Sequence, residues 1–113
     1  MLKVVYMRTG LALLSMLALL LLSTQPALAE RFSIYAYDKD NNNALLTGAE
    51  IKVWQDGNLL DSGKTDVDGV FVTYLNYGRY LIQGEYSGKT DERSDFLFSS
   101  GSVDRLDLYL YKH

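Results

Sequence analysis

Short runs in which apolar and polar side chains alternate fill the chain from residue 31 to the C-terminus. In the first run, RFSIYAYD, phenylalanine, isoleucine and alanine share one face, and Tyr35 and Tyr37 share the other. A period of two is the side-chain period of a β-strand. Six further runs repeat it: AEIKVWQ, LLDSGKT, GVFVTYL, RYLIQGEY, SDFLFSS and VDRLDLYLY. The pattern predicts an all-β domain, a seven-stranded Greek-key β-sandwich.

The segments between these runs are rich in residues that favour turns. They include DKDNNN, DGN, NYG and the longer polar segment SGKTDERS. Asparagine, aspartate, serine and glycine each favour turns, because their side chains bond nearby backbone or because they tolerate unusual backbone angles. We expect each segment to be a loop.

The N-terminus has the three parts of a secretory signal peptide. Lys3 and Arg8 are basic, Leu11 to Leu22 are predominantly apolar, and Ala27-Leu28-Ala29 supplies small residues for cleavage. A membrane anchor is the alternative, but the apolar run is shorter than the ~20 residues that a spanning helix needs. We therefore predict a leader over residues 1–29 and one β-sandwich domain over residues 30–113. The mature protein is expected to be secreted, periplasmic or on the cell surface, without a membrane span.

The charge and the rare residue types narrow the range of possible functions. Residues 30–113 carry nine basic and 14 acidic side chains, a formal charge of −5, so nucleic acid is not an expected partner. The chain has no cysteine, and its one histidine is the terminal His113. The usual zinc and copper ligand sets and the common nucleophile triads are therefore missing from the sequence. We expect no cofactor and no enzymatic activity.

The stretch KTDVDGVFV places Asp66 and Asp68 beside Gly69 and allows three interpretations. A calcium loop of the EF-hand type continues with oxygen ligands after its glycine, whereas this stretch turns apolar. A catalytic carboxylate pair needs burial or a charged neighbour, which nothing nearby indicates. The remaining interpretation is a bend between two strands, with aspartates bonding backbone N–H groups. We predict the bend.

A second acidic stretch offers a weak alternative metal site at Asp38, Asp40 and Asn42. The three residues alternate as calcium ligands do, but the sixth position lacks glycine and the twelfth lacks glutamate. A solvated loop at a strand end is the preferred interpretation.

Three motifs in order carry a resemblance to a known family. They are LTGAEIKVW (46–54), KTDVDGVF (64–71) and LNYGRYLIQ (75–83). Together they resemble the prealbumin-like sandwiches, namely carboxypeptidase regulatory-like domains and the collagen-adhesin B-type (CnaB) domains of surface proteins. The resemblance, which covers most of residues 32–86, implies a non-catalytic spacer, adhesion or accessory domain.

The chemistries found among such families do not match this chain. Some CnaB domains form an internal isopeptide bond from a lysine on the first strand, but residues 31–37 contain no lysine. We therefore expect no isopeptide. The transthyretin-like hydrolases imply several histidines in a cleft, and this chain has one.

The strand order that the resemblance implies makes the first and last strands neighbours. Tyr35 and Tyr37 would then lie near Tyr109 and Tyr111 on an outward face. Tyrosine combines a large contact area with a hydroxyl group, which suits a binding surface. These rings also suit an ordinary strand, because aromatic residues favour pleated surfaces. Both interpretations stay open.

Outward apolar residues extend this candidate surface. Val70, Val72 and Tyr74 alternate with the predicted core residues of GVFVTYL, and Trp54 points outward by the same count. A strand that is apolar on both faces is either covered or part of an interface. We therefore predict a module that docks a protein partner or a second copy through a sheet face. The alternative is a carbohydrate-binding accessory module that stacks sugars on Trp54 or the tyrosines.

Overall fold

The computed structural model describes residues 29–113, which form an all-β fold of two four-stranded sheets, consistent with a β-sandwich. Sheet A consists of β1 (Glu30–Asp38), β2 (Ala44–Leu45), β5 (Val70–Leu75) and β8 (Arg105–Leu110). Sheet B consists of β3 (Glu50–Gln55), β4 (Asn58–Lys64), β6 (Gly78–Tyr86) and β7 (Lys89–Phe98). One 3-10 turn (Lys39–Asn41) follows β1. In this part of the chain no helix has the length and apolarity to cross a bilayer. The predicted leader, apart from Ala29, lies outside the described residues.

Strand β1 organises sheet A. Strand β8 runs parallel to it on one side, while β5 and then β2 pair antiparallel with its other side. Sheet B has the order β4-β3-β6-β7, with all neighbours antiparallel. The expectation that the first and last strands are neighbours is confirmed, and Tyr37 lies directly opposite Tyr109.

The inner faces of the two sheets share one apolar core. Alternate residues of β1, β3, β6 and β8 supply most of it: Phe32, Ile34, Ala36, Ile51, Val53, Ile82, Leu106, Leu108 and Leu110. This alternation is the pattern that predicted the strands, so hydrophobic burial drives the fold as the sequence indicates. Gly84 of β6 lets the sheets approach closely, because a β-carbon at that position would lie 3.0 Å from Leu108 and 3.2 Å from Leu110.

The predicted number of strands was too low by one. The short strand β2 lies within the stretch between the first two predicted strands and pairs with the end of β1. The prediction of a loop over SGKTDERS was also wrong, because β7 already begins at Lys89. Only Ser87 and Gly88, both with positive φ, turn the chain there. The charged residues that follow lie on an edge strand, where polar side chains remain solvated.

The bend interpretation of the KTDVDGVFV stretch is confirmed for Asp66. Its carboxylate accepts hydrogen bonds from the backbone N–H groups of Asp68 and Val70, at 2.9 and 3.2 Å. Gly69 has a φ of +75°, which suits glycine. Asp68 therefore contributes its N–H group to the turn, and Asp66 is the residue that caps it.

The close packing at Gly84 gives a test of the arrangement of the sheets. We expect Gly84→Ala to lower the free energy of unfolding by about 1–3 kcal/mol, because the added methyl group overpacks the core. The measurement is urea unfolding, with the exposed Ser62→Ala on β4 as control. An unchanged midpoint for Gly84→Ala would contradict the packing of β8 onto β6.

Candidate functional site

The outward side chains of sheet A form a continuous surface that we name the tyrosine face. The register of the strands places Tyr35 opposite Val70. It places Tyr37 opposite Tyr109 on one side and opposite Leu45 on the other. The complete set is Arg31, Ser33, Tyr35, Tyr37, Leu45, Val70, Val72, Tyr74, Arg105, Asp107 and Tyr109. Six of the eight predicted binding residues therefore lie on one surface.

Three of these tyrosines are stacked. The rings of Tyr37 and Tyr109 have centroids 5.1 Å apart and planes inclined by 18°. Tyr35 and Tyr37 have centroids 6.5 Å apart and planes inclined by 15°. Aromatic pairs of this kind contribute to stability beyond their buried area, so the rings hold one another in place.

Arg105 joins this stack to the polar part of the face. Its guanidinium group lies 3.7 Å from the centroid of the Tyr35 ring. It also donates to the Asp107 carboxylate at 2.9 Å and to the Tyr37 hydroxyl at 2.6 Å. One planar cation thus restrains two tyrosines and a carboxylate, which suits the fork geometry of arginine.

The ionisation of these groups follows from their contacts. Burial is the main cause that raises the pKa of Tyr37, and the negative charge of Asp107 raises it further. The hydrogen bond to Asp107 raises the pKa of Arg105 above its ordinary value. At neutral pH the face therefore presents a neutral phenol and a permanently charged guanidinium.

The other half of the face is apolar and accessible to solvent. Tyr74 is 64% exposed and Leu45 is 52% exposed, while Val70 and Val72 are half-buried. Within residues 29–113 no further layer covers this side of sheet A. A rigid aromatic cluster beside an open apolar strip is typical of a protein contact surface.

Trp54 lies on the opposite side of the molecule, so it does not belong to the tyrosine face. Its indole N–H donates to the side chain of Gln83 at 2.8 Å on the outer face of sheet B. The indole borders a shallow depression of about 240 Å³ that also includes Arg79 and Asp95. The alternation correctly placed Trp54 outward, but it does not reveal which sheet the strand joins.

Tyr111 also departs from the expected cluster. Strand β8 ends at Leu110, and Tyr111 instead forms an isolated antiparallel bridge with Thr90 at the start of β7. Its ring lies 4.2 Å, centroid to centroid, from that of His113. Tyr111 and His113 border a cleft of about 610 Å³ on the outer side of sheet B.

The sequence did not predict this cleft. Its remaining lining residues are Glu50, Lys52, Gln83, Gly84, Glu85, Thr90, Asp91 and Glu92. Two of its four carboxylates, those of Asp91 and Glu92, come from β7, within the stretch that was expected to be a loop. The sequence carries no signal for this strand start, because residues 87–94 are polar throughout and do not alternate with apolar side chains.

A lysine lies against two of the three residues of the weak alternative metal site. The ammonium group of Lys89 lies 2.8 and 2.7 Å from the two carboxylate oxygens of Asp38 and 4.0 Å from Asp40. Asp38 also caps the 3-10 turn, and Asn42 ends that turn in the left-handed conformation. Among the described residues, no group of three or more histidine, cysteine or acidic side chains has a metal-binding arrangement. Asp38 thus ends β1 and binds Lys89 at the start of β7, which belongs to the other sheet.

Comparisons with known proteins agree with the fold and do not identify a family. No family model matches the chain, and no curated protein is detectably similar. Among solved structures, the TIE protein of Bacillus anthracis aligns with a TM-score of 0.54 and 23% sequence identity. The alignment covers 74% of this chain and 17% of that chain. The similarity therefore concerns the fold of one part of a longer protein.

The Lys89–Asp38 pair gives a prediction about stability and pH. We expect Asp38→Asn to destabilise the protein more than Asp40→Asn, because Asp38 is nearly buried and bonds the ammonium group with both oxygens. The hydrogen bond to Asp38 is also the main cause that raises the pKa of Lys89 above 10.5. The folded state thus holds this proton more tightly than the unfolded chain does.

This stabilisation is complete below the ordinary lysine pKa and is lost as the pH rises through the raised value. Urea midpoints between about pH 8 and about pH 11 should therefore fall more steeply for the wild type than for Asp38→Asn. Parallel curves for the two proteins would contradict the assigned ion pair.

Proposed function

We propose that this protein is a non-catalytic extracytoplasmic interaction module that docks a protein partner through the tyrosine face. The observation that carries the proposal is the rigid Tyr35, Tyr37 and Tyr109 stack beside the open apolar strip of Val72 and Tyr74. Preordered aromatic side chains lose little conformational entropy on binding, and tyrosine is enriched where contacts contribute most to affinity.

The stacking geometry favours a protein partner over a sugar at this face. A sugar ring binds to an open aromatic face, whereas Tyr37 is stacked with both Tyr35 and Tyr109, and Arg105 covers a face of Tyr35. The hydroxyl group of Tyr37 is already engaged by Arg105. What is left for a ligand is the partly exposed Tyr109 at the end of the stack, the exposed ring of Tyr74 and the apolar side chains around it, which suits a flat protein surface.

The remaining parts of the proposal are the family type and the location. We infer a prealbumin-like sandwich of the carboxypeptidase regulatory-like or CnaB type, on the basis of the three motifs in residues 46–83. The fold similarity to one part of a longer protein supports a domain that serves as a module. The leader predicted at residues 1–29 supports secretion or periplasmic location.

Two substitutions on the tyrosine face test the docking proposal. We expect Val72→Asp and Tyr109→Asp each to weaken co-purification of the native partner at least about tenfold, because each places an uncompensated charge in the contact. The measurement is quantitative cross-linking and affinity purification from the native cell. The control is Val67→Asp, which adds the same charge at an 81% exposed turn position. If Val72→Asp and Tyr109→Asp recover as much partner as the Val67→Asp control and the wild type do, docking through this face is contradicted.

The surroundings of Trp54 favour a second candidate function, carbohydrate binding. Its half-buried indole is held by Gln83 next to a depression that contains Gln55, Asp56, Arg79 and Asp95. An aromatic ring beside hydrogen-bonding side chains can bind the apolar face and the hydroxyl groups of a sugar.

A glycan array separates the two candidates. If the protein binds carbohydrate at Trp54, some glycan on the array is retained by the wild type. The apparent affinity for that glycan should fall at least about tenfold in Trp54→Ala and stay unchanged in Tyr109→Ala. Failure of the wild type to retain any glycan would remove this second candidate and leave the first unaffected.

A further inference from the structure

We propose that the partner of the tyrosine face is a second copy of this chain, which presents the outer face of its sheet B. This inference rests on the proposed docking function and names the partner. Copies joined in this way would assemble head to tail.

The first argument is the distribution of charge. The described domain has 14 acidic and nine basic side chains, but the tyrosine face carries Arg31, Arg105 and a single acidic residue, Asp107. This face therefore has a formal charge of +1 in a domain of −5. A positive surface on an acidic protein is complementary to the rest of that protein, which favours attraction between unlike faces of two copies.

The outer side of sheet B supplies the opposite charge. Its cleft is lined by four carboxylates, those of Glu50, Glu85, Asp91 and Glu92, and by one lysine, Lys52. With a neutral histidine the formal charge of this lining is −3. The only ion pair assigned to these five side chains within residues 29–113 is a weak one, with 3.9 Å between the charged atoms of Lys52 and Glu50. The carboxylates of Glu50, Glu85 and Glu92 can therefore receive cations from another molecule, whereas that of Asp91 already accepts the N–H of Tyr109.

Apolar side chains next to the cleft match the apolar strip of the tyrosine face. Strand register places Leu59, Trp54 and Leu81 in one row across β4, β3 and β6. Leu59 is 48% exposed. Each of the two faces thus combines an apolar part with a charged part, and the charges have opposite sign. Apolar contact surrounded by complementary charge is the usual anatomy of a specific interface.

The same charges argue against a symmetric pair that joins two tyrosine faces. A twofold arrangement would bring the arginines of both copies onto one shared face, with one aspartate from each copy to offset them. The head-to-tail arrangement instead directs the exposed Arg31 towards carboxylates. An interface between unlike faces leaves one free face at each end, so that copies continue to add as an open chain or close into a ring.

Sedimentation velocity of the protein expressed from its full sequence, in the form that the cell yields, tests this proposal. We expect the molecular mass of the assemblies to rise beyond that of a dimer as the protein concentration rises. Association should weaken when ionic strength rises from roughly 0.01 M to roughly 1 M, which shortens the Debye length from about 30 Å to about 3 Å. A monomer at every concentration, or association that strengthens with salt, would overturn the proposal.

Two double variants separate the head-to-tail arrangement from a symmetric one. Arg31→Glu with Tyr74→Asp disables the tyrosine face, and Glu50→Lys with Glu92→Lys disables the face of sheet B. Each is expected to lower self-association at least about tenfold, because like charges then meet in the contact. The exposed turn variants Val67→Asp and Asp68→Lys are the charge controls and should assemble as the wild type does.

Mixing the two double variants is the decisive measurement. Each variant keeps the face that the other has lost, so the mixture should form a one-to-one dimer and grow no further. No dimer in the mixture, or a sheet B variant that assembles normally, overturns the inference. If the protein is monomeric but Val72→Asp still loses a different native partner, this inference fails while the proposed docking function stands.

Discussion

The parallel pairing of β1 with β8 is the constraint on which the rest of the structure depends. It joins the first and last strands of the described domain, with the N–H group of Ser33 bonded to the carbonyl group of Asp104 at the start of the contact. Because a strand alternates its side chains, this register decides both faces at once. It directs Leu106 and Leu108 into the core and sets Tyr109 beside Tyr37 outside. The core and the candidate site are therefore two consequences of one pairing.

The periodicity of the sequence predicted the features that depend on neighbouring residues, namely the direction of side chains and the turns. It failed where pairing with a distant strand determines the structure. The alternation in residues 31–37 correctly separated the buried Phe32 from the outward Tyr35, and the chemistry of Asp66 indicated its turn. The charged start of β7 was missed, because nothing in SGKTDERS alternates between apolar and polar side chains. That segment becomes a strand because β6 offers it backbone hydrogen bonds, which overrides weak local preference.

The sequence analysis misplaced two site residues, Trp54 and Tyr111, for the same reason. Trp54 was correctly expected on an outer face, but which of two outer faces depends on which sheet contains β3. Tyr111 lies one residue beyond the end of β8, where the chain bridges to Thr90 rather than continuing beside β1. The period of the sequence assigns a side chain to the core-facing or the solvent-facing side of its sheet. Which sheet contains the strand is a property of the whole topology.

The edge of sheet A at β8 is protected against the addition of another strand. An unpaired strand edge attracts other chains, and proteins protect such edges with charge. At the free edge of β8, the Asp91 carboxylate accepts the N–H of Tyr109 at 2.9 Å, and Arg93 donates to the carbonyl group of Asp107 at 3.3 Å. These side chains of β7 occupy backbone groups that a new strand would require. The apolar surface left accessible beside them is the tyrosine face, so the docking that we propose relies on contact between side chains rather than on extension of sheet A at β8.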